Sequence, residues 1–425
     1  MAEIAASPEY SENMLVLHVS PKVNKLANAG HEYWLHRNLW SSAQTIKGID
    51  WRVIGPKREA SDWVMGLIDQ PFRSRAWQSL WPMGKVLRDI EAISRLFGQH
   101  ENVLVHIYEG GLRELLLTLG LSRRHVNWKF SFNFNLIDPW QILLSSGFLA
   151  RAALTSCSQE LRSVATLYAE TGNLALLLGR VLGSTPKEYP LCAIAGLDST
   201  FKAKNYDFTF FVNGKEEIRL CLDAIETYEK SLDGAARSAY CFVPRWGSNV
   251  ELYRDHHIVA RSKVLTGTLS SAQYAELMLE TSVVVLPYLD KYYKFGSSGR
   301  LLDSRKFNVP VLAPQNSSLA DQIQTYGWGI NFEQTAEGLA NAMLQSKGLS
   351  VLSSAPALEP LDTVNQILEG AQVRPILRSA SSKVSLIGLS VLFSLGIVEH
   401  PRLFLSRIFE IHRGLVMSLV KVRKN

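Results

Sequence analysis

The sequence is short of several things that would have named a class at once. Cysteine is scarce: four in 425 residues (Cys157, Cys192, Cys221, Cys241), standing singly, with no CxxC spacing and no histidine at ligand spacing. That pattern argues against a disulfide framework and against a cysteine-based zinc site. There is no short-period repeat and no low-complexity tract. The opening stretch "MAEIAASPEYSEN" lacks the basic and apolar regions of a signal peptide, so the expectation is a cytoplasmic chain. Long apolar runs are also missing. The longest in the tail, Val384 to Val398, is fifteen residues, short of the roughly 20 that a helix needs to span a bilayer.

Positive charge is unevenly spent. From Ala371 to Asn425 nine Lys and Arg stand against Glu399 and Glu410, a surplus larger than the chain's net +6, so the rest is close to neutral. Nucleic-acid binders more often spread basic residues among aromatics over a folded face, and no nucleic-acid partner is expected. A basic, apolar tail allows two readings. Residues 384–425 either lie on an anionic membrane surface as a peripheral anchor, or form a helix that returns to the first domain. Eight of the ten tryptophans precede residue 141, for which core packing is the default reading.

What is present in quantity is alternation. "MLVLHVS", "DWRVIG", "NVLVHIYEGG" and "WKFSFNFNL" read as strands, with "HEYWLHRNLWSSAQTIKG" and "LRELLLTLGL" as helices between them and a helical stretch ending near Gly183. "STPKEYPLCAIAGLDSTFKAKN" then reads as a linker, after which strand and helix alternate again from "DFTFFVNG" to "YGWGINFE". Such alternation predicts parallel sheets covered on both faces. The expected architecture is α/β: two Rossmann-like doubly wound domains facing a cleft, over 1–188 and 189–350, with a helical tail over 351–425. His256 and His257 are adjacent; on a strand they would face opposite ways, and no metal is assigned to them.

One stretch asks for a ligand. "SVVVLPY" delivers the chain to Gly296, Ser297, Ser298 and Gly299, and "GRLLDSRKF" then begins a helix. Free amides and the positive end of the helix macrodipole suit an anion, with Lys291 and Lys294 adding charge. A serine-capped helix start needing no ligand reads equally well.

The run from Gly267 to Glu333 holds, in order, Gly267 to Leu269, "SSAQYAELM", "VVVLPY", the Gly/Ser turn, a helix carrying an acid, "VPVLAP" and "YGWGINF". That order resembles the donor-binding half of retaining sugar-nucleotide glycosyltransferases of GT-B architecture, of the glycosyltransferase family 4 (group 1) type. The resemblance implies transfer of a sugar from a nucleotide diphosphate donor to a glycan or lipid-linked acceptor in envelope or exopolysaccharide biosynthesis, with no cofactor and no metal. It places Gly296, Ser297, Ser298 and Gly299 on the diphosphate and Asp303 on the ribose hydroxyls. Phe295 falls where the family has its sugar-side glutamate. Lys215 is implied as the cation meeting the leaving diphosphate, with Arg219 the second candidate. In the first half the resemblance puts Gly30 near the donor beside His31, and gives His106 a catalytic place. Tyr108 and Glu109 join the acceptor side, where Asn133 and Asn135 stand in place of the histidine many relatives have. A GT-B sugar-nucleotide epimerase and a catalytically silent GT-B binding partner stay open as alternatives.

Overall fold

The structure, a computed structural model, describes residues 13–21, 31–68, 82–134, 148–192, 203–232, 238–244, 250–267, 269–289, 291–347, 349, 358–372, 385–386 and 389. The chain divides into two compact units, one of residues 1–26, 39–190 and 364–425, the other of residues 27–38 and 191–363.

In the first unit seven strands form one parallel sheet in the order β3-β2-β1-β4-β5-β6-β7. They are β1 (Met14–Val19), β2 (Ile49–Pro56), β3 (Val64–Ile68), β4 (Val103–Ile107), β5 (Lys129–Phe134), β6 (Ala165–Ala169) and β7 (Lys187–Glu188). Helices α1 (His31–Ala43, of which residues 31–38 are grouped with the second unit), α2 (Pro82–Phe97), α3 (Leu112–Arg124), α4 (Phe148–Val164) and α5 (Gly172–Leu182) intervene. Every residue of β1 and β4 is buried, as a strand covered on both faces requires.

Two sequence expectations fail here. The stretch read as helix up to Gly183 is broken by β6, because "ATLYA" pairs along β5 from Phe130↔Ala165 to Phe134↔Ala169. Strand β3, "VMGLI", was also not anticipated. The segment read as linker contributes β7, whose neighbour Tyr189 is 3 % exposed.

The second unit is a six-stranded parallel sheet in the order β10-β9-β8-β11-β12-β13. Its strands are β8 (Tyr206–Val212), β9 (Tyr240–Pro244), β10 (Lys263–Val264), β11 (Thr281–Val285), β12 (Val311–Pro314) and β13 (Gly329–Phe332). The helices are α6 (Lys215–Lys230), α7 (His257–Arg261), α8 (Ser271–Glu280), α9 (Gly299–Lys306), α10 (Ser318–Tyr326) and α11 (Ala336–Gln345); α12 (Pro360–Gln372) begins in this unit and from Val364 belongs to the first. Strand alternation sorts the core in two. Phe208, Phe210, Val212, Val283 and Val285 pack with Ile218, Leu222, Leu339 and Met343 from α6 and α11. Phe211, Val284 and Leu286 pack with Met278, Leu301, Leu319 and Ile323 from α8, α9 and α10. Each such buried side chain contributes about 1.5–3 kcal/mol relative to exposure.

His256 and His257 do not lie on a strand. His256 caps α7, accepting from the Ile258 N–H through Nδ1 at 3.4 Å, and His257 is that helix's first residue. Their rings stack, with centroids 4.8 Å apart.

In the tail, Leu389 is fully buried and the Leu386 side chain lies beside Gly120 of α3. Thr166 on β6 donates to the Gly370 carbonyl of α12 at 2.9 Å. Most of 384–425, on which the membrane expectation rests, lies outside the described residues. Among the described residues no helix is long and apolar enough to cross a membrane.

Candidate functional site

Both strand orders reverse direction once, between β1 and β4 in the first unit and between β8 and β11 in the second. Chains leaving two such neighbouring strands turn to opposite faces of the sheet and leave a crevice at the carboxyl edge, where open α/β sheets take ligands.

At the second unit's reversal, the turn Asn213–Gly214 leads from β8 into α6, and the segment from Leu286 to Ser298 leads from β11 into α9. A buried carboxylate ties the two together. Glu217, in the first turn of α6 and 4 % exposed, accepts from the backbone N–H of Asn213 and from that of Leu289 at 3.2 Å. The segment after β11 is pinned further. Arg300 donates to the Tyr288 hydroxyl at 2.8 Å and lies over the Phe211 ring, Tyr288 stacks on Tyr293 at 4.1 Å, and Gln334 donates to the Tyr288 carbonyl.

The helix starts of this unit fall into two groups. Helices α7, α8, α10 and α11 are closed by side chains of His256, Ser270, Ser317 and Thr335, each accepting a backbone N–H. Helices α6 and α9, the two that follow the strands of the reversal, have no side-chain cap: Gly214 has none to offer and Ser298 makes no such bond. Their first-turn amides are the donors this edge presents. A Cβ at Gly214 would meet nothing within 4 Å. Lys215, first in α6, is exposed.

The Gly/Ser turn itself is held from below. Ser318 Oγ lies 2.6 Å from the Gly296 carbonyl and 2.9 Å from that of Tyr293, and Ser297 Oγ lies 3.3 Å from Gln322 Nε2. Gly296, Ser297 and Ser298 are buried and Gly299 is half-buried. Lys294 sits over the half-buried Phe295 ring, the position where the resemblance implies a glutamate. The Lys291 side chain lies outside the described residues.

Two expected donor-site residues have partners within the protein. Asp303, expected on the ribose hydroxyls, is 2 % exposed and accepts from the Tyr274 hydroxyl of α8 at 3.0 Å. Burial, with the Asp303 charge beside it, pushes the Tyr274 phenol well above its ordinary range and keeps it a donor. Arg219 projects into solvent, 3.8 Å from Asp223, in an exposed helical pair.

In the first unit the reversal is also bridged by an acid. Ser20, after β1, donates to Glu109, after β4, at 3.3 Å; Glu109 is 1 % exposed. Asn133 donates to the Tyr108 carbonyl at 2.9 Å and its own carbonyl accepts from Gly110 at 2.7 Å. Glycine is required at 110, where a Cβ would stand 2.4 Å from the Asn133 oxygen. His106 is fully buried, with Nδ1 3.0 Å from Ser131 Oγ and Nε2 3.0 Å from the Tyr189 hydroxyl. Burial first, and His18 beside it, push its pKa well below the ordinary value, so the ring is neutral. Both nitrogens of His106 are occupied inside the sheet, by Ser131 and Tyr189. Gly30, Asn135 and the His31 side chain lie outside the described residues.

Glu217, Tyr274 and Tyr189 were missed from the sequence. Glu217 had a signal: a glutamate at the third position of a helix whose cap residue is glycine reaches back to the preceding amides. Tyr274 and Tyr189 had none.

No protein-family model and no curated protein sequence matches the chain. Solved structures do. Sucrose-phosphate synthase from Thermosynechococcus elongatus superposes with a TM-score of 0.56 at 13% identity, over 95% of this chain and 100% of that one. A glycosyltransferase from Rickettsia africae gives 0.52 at 11% identity over 96% and 99%. UDP-GlcNAc 2-epimerase from Neisseria meningitidis, bound to UDP-GlcNAc, gives 0.51 at 10% identity over 85% and 99%. The fold is GT-B. At these identities the likeness speaks for the fold alone.

Proposed function

We propose that the chain is a sugar-nucleotide-using enzyme, a glycosyltransferase, whose second unit holds the nucleotide diphosphate at the β8/β11 reversal. One observation carries this reading: of the helices on that edge whose starts are among the described residues, α6 and α9, which flank the reversal, are the two without a side-chain cap. Two helix N-termini without side-chain caps, each the positive end of a macrodipole, suit a diphosphate. Lys215 adds a full charge where the leaving group becomes more negative as the glycosidic bond breaks. The resemblance over Gly267 to Glu333 supports the finer reading: transfer with retention to a glycan or lipid-linked acceptor of envelope polysaccharide, on the cytoplasmic side of the membrane.

The fold likeness to UDP-GlcNAc 2-epimerases supports a second reading, epimerisation of the bound sugar nucleotide. Both readings share the donor site and differ in product. The test is a screen of UDP-, GDP- and ADP-sugars for thermal stabilisation, followed by proton NMR of the mixture. Release of nucleoside diphosphate supports the transferase, and an epimeric sugar nucleotide without release supports the epimerase. Binding with neither product supports a silent binding partner, and no binding to any of them rejects the proposal.

A further inference from the structure

Well away from the reversal, three side chains of metal-ligating type converge. Glu226 on α6, His256 and His257 each bring one ligand atom within 4.8 Å of the others. Glu226 Oε1 already stands 3.4 Å from His256 Nε2. In a tetrahedral zinc site with bonds near 2.0–2.2 Å, neighbouring ligand atoms lie about 3.3 Å apart, so small rotations close the set. Glu226 is eleven residues beyond Lys215, or about 16 Å along α6 at 1.5 Å per residue.

The structure assigns a divalent transition-metal site to Glu226, His256 and His257. Two neutral imidazoles and one carboxylate form a donor set that suits zinc, cobalt or nickel, and suits magnesium or calcium poorly, since these take oxygen ligands. Three protein ligands leave a fourth position for water. The partly buried pair His256 and Glu226 is held in place: His256 Nδ1 faces the Ile258 N–H, which directs Nε2 toward the carboxylate. His257 is exposed and stacks on His256, which puts its ring on the same side. Binding through His256 Nε2 moves the ring proton to Nδ1 and gives up the long cap bond at 3.4 Å; no proton leaves the site. The metal ties α6 to α7 across the face of β9.

The experiment uses untagged full-length protein. Equilibrium dialysis against micromolar Zn²⁺ followed by metal analysis should find one zinc per chain, with a rise in Tm that EDTA reverses and that Mg²⁺ does not produce. His257→Ala, at an exposed position, and Glu226→Gln should each weaken zinc binding at least tenfold. His256→Asn should do the same while keeping the helix capped, because asparagine is among the best cap residues. No zinc retained by the parent protein overturns the site. So does equal retention by parent and all three variants, which would mean binding elsewhere.

Discussion

Glu217 and Leu289 are 72 residues apart, yet the carboxylate of one accepts the backbone N–H of the other at 3.2 Å. Through this bond the turn after β8 and the segment after β11 are held as one edge. Removing the carboxylate leaves two backbone amides without their partner. Glu217→Ala should therefore cost about 3 kcal/mol in urea unfolding, the range for hydrogen bonds to a charged group, and should weaken nucleotide-diphosphate binding as well. Glu217→Gln should recover part of both. Unchanged stability in the alanine variant would show that the bridge holds nothing.

Gly214 separates binding from folding. A Cβ there meets no protein atom within 4 Å, so Gly214→Ala should fold with stability within about 0.5 kcal/mol of the parent. Gly214 is the residue from which α6 starts, so on the proposed reading the added methyl crowds the diphosphate, and affinity for a nucleoside diphosphate, read by calorimetry, should fall at least tenfold. Lys215→Ala should lose turnover more than affinity, since the charge it meets is largest in the transition state.

Asp303 gives a contrasting pattern. As a buried acceptor for Tyr274 it belongs to the packing of α8 against α9, so Asp303→Ala should destabilise the protein by about 2–3 kcal/mol and Tyr274→Phe by about 1 kcal/mol. Nucleotide affinity of the folded fraction should hardly change. A stable Asp303→Ala variant with lost affinity would return the residue to the ribose.

His106 makes the first unit sensitive to acid. Its pKa in the folded chain lies well below the ordinary 6.5, so the unfolded chain takes up the proton first as pH falls. Its contribution is complete above pH 6.5 and is lost toward the lower folded value, with a slope of up to about 1.4 kcal/mol per pH unit. Urea midpoints between pH 7.5 and pH 5 should show this slope in the parent and a shallower one in His106→Gln.

The tail prediction rests on Leu389. Because it is fully buried, Leu389→Ala should cost about 2–4 kcal/mol, and deletion after Ala380 should lower Tm. A deletion that keeps Tm but no longer sediments with anionic vesicles would favour the membrane reading of residues 384–425.

Much of this protein was legible as pattern. The buried strands β1, β4, β8 and β11 announce themselves because a strand covered on both faces must be apolar throughout, and α6 and α8 because amphipathic helices repeat near 3.6 residues. The Gly/Ser turn at 296–299 was legible for the same local reason: small residues between a strand and a helix. Strand β6 was not, since "ATLYA" continues a helical stretch and becomes a strand only by pairing with β5.

Local sequence thus determined the alternation, the two sheets and the place of the Gly/Ser turn. Tertiary structure alone decided what each polar side chain is for. Asp303 and His106 carry chemistry that could serve a ligand, and only the fold shows them buried beside Tyr274 and Tyr189. Glu217 reads as one more helix charge until the strand order brings Leu289 beside it, and His256 and His257 read as opposed until a helix begins between them. The physical reason is common to all four. Propensity and periodicity depend on neighbours within a few residues, whereas the partners that these polar groups meet are supplied by chain 29 to 83 residues away.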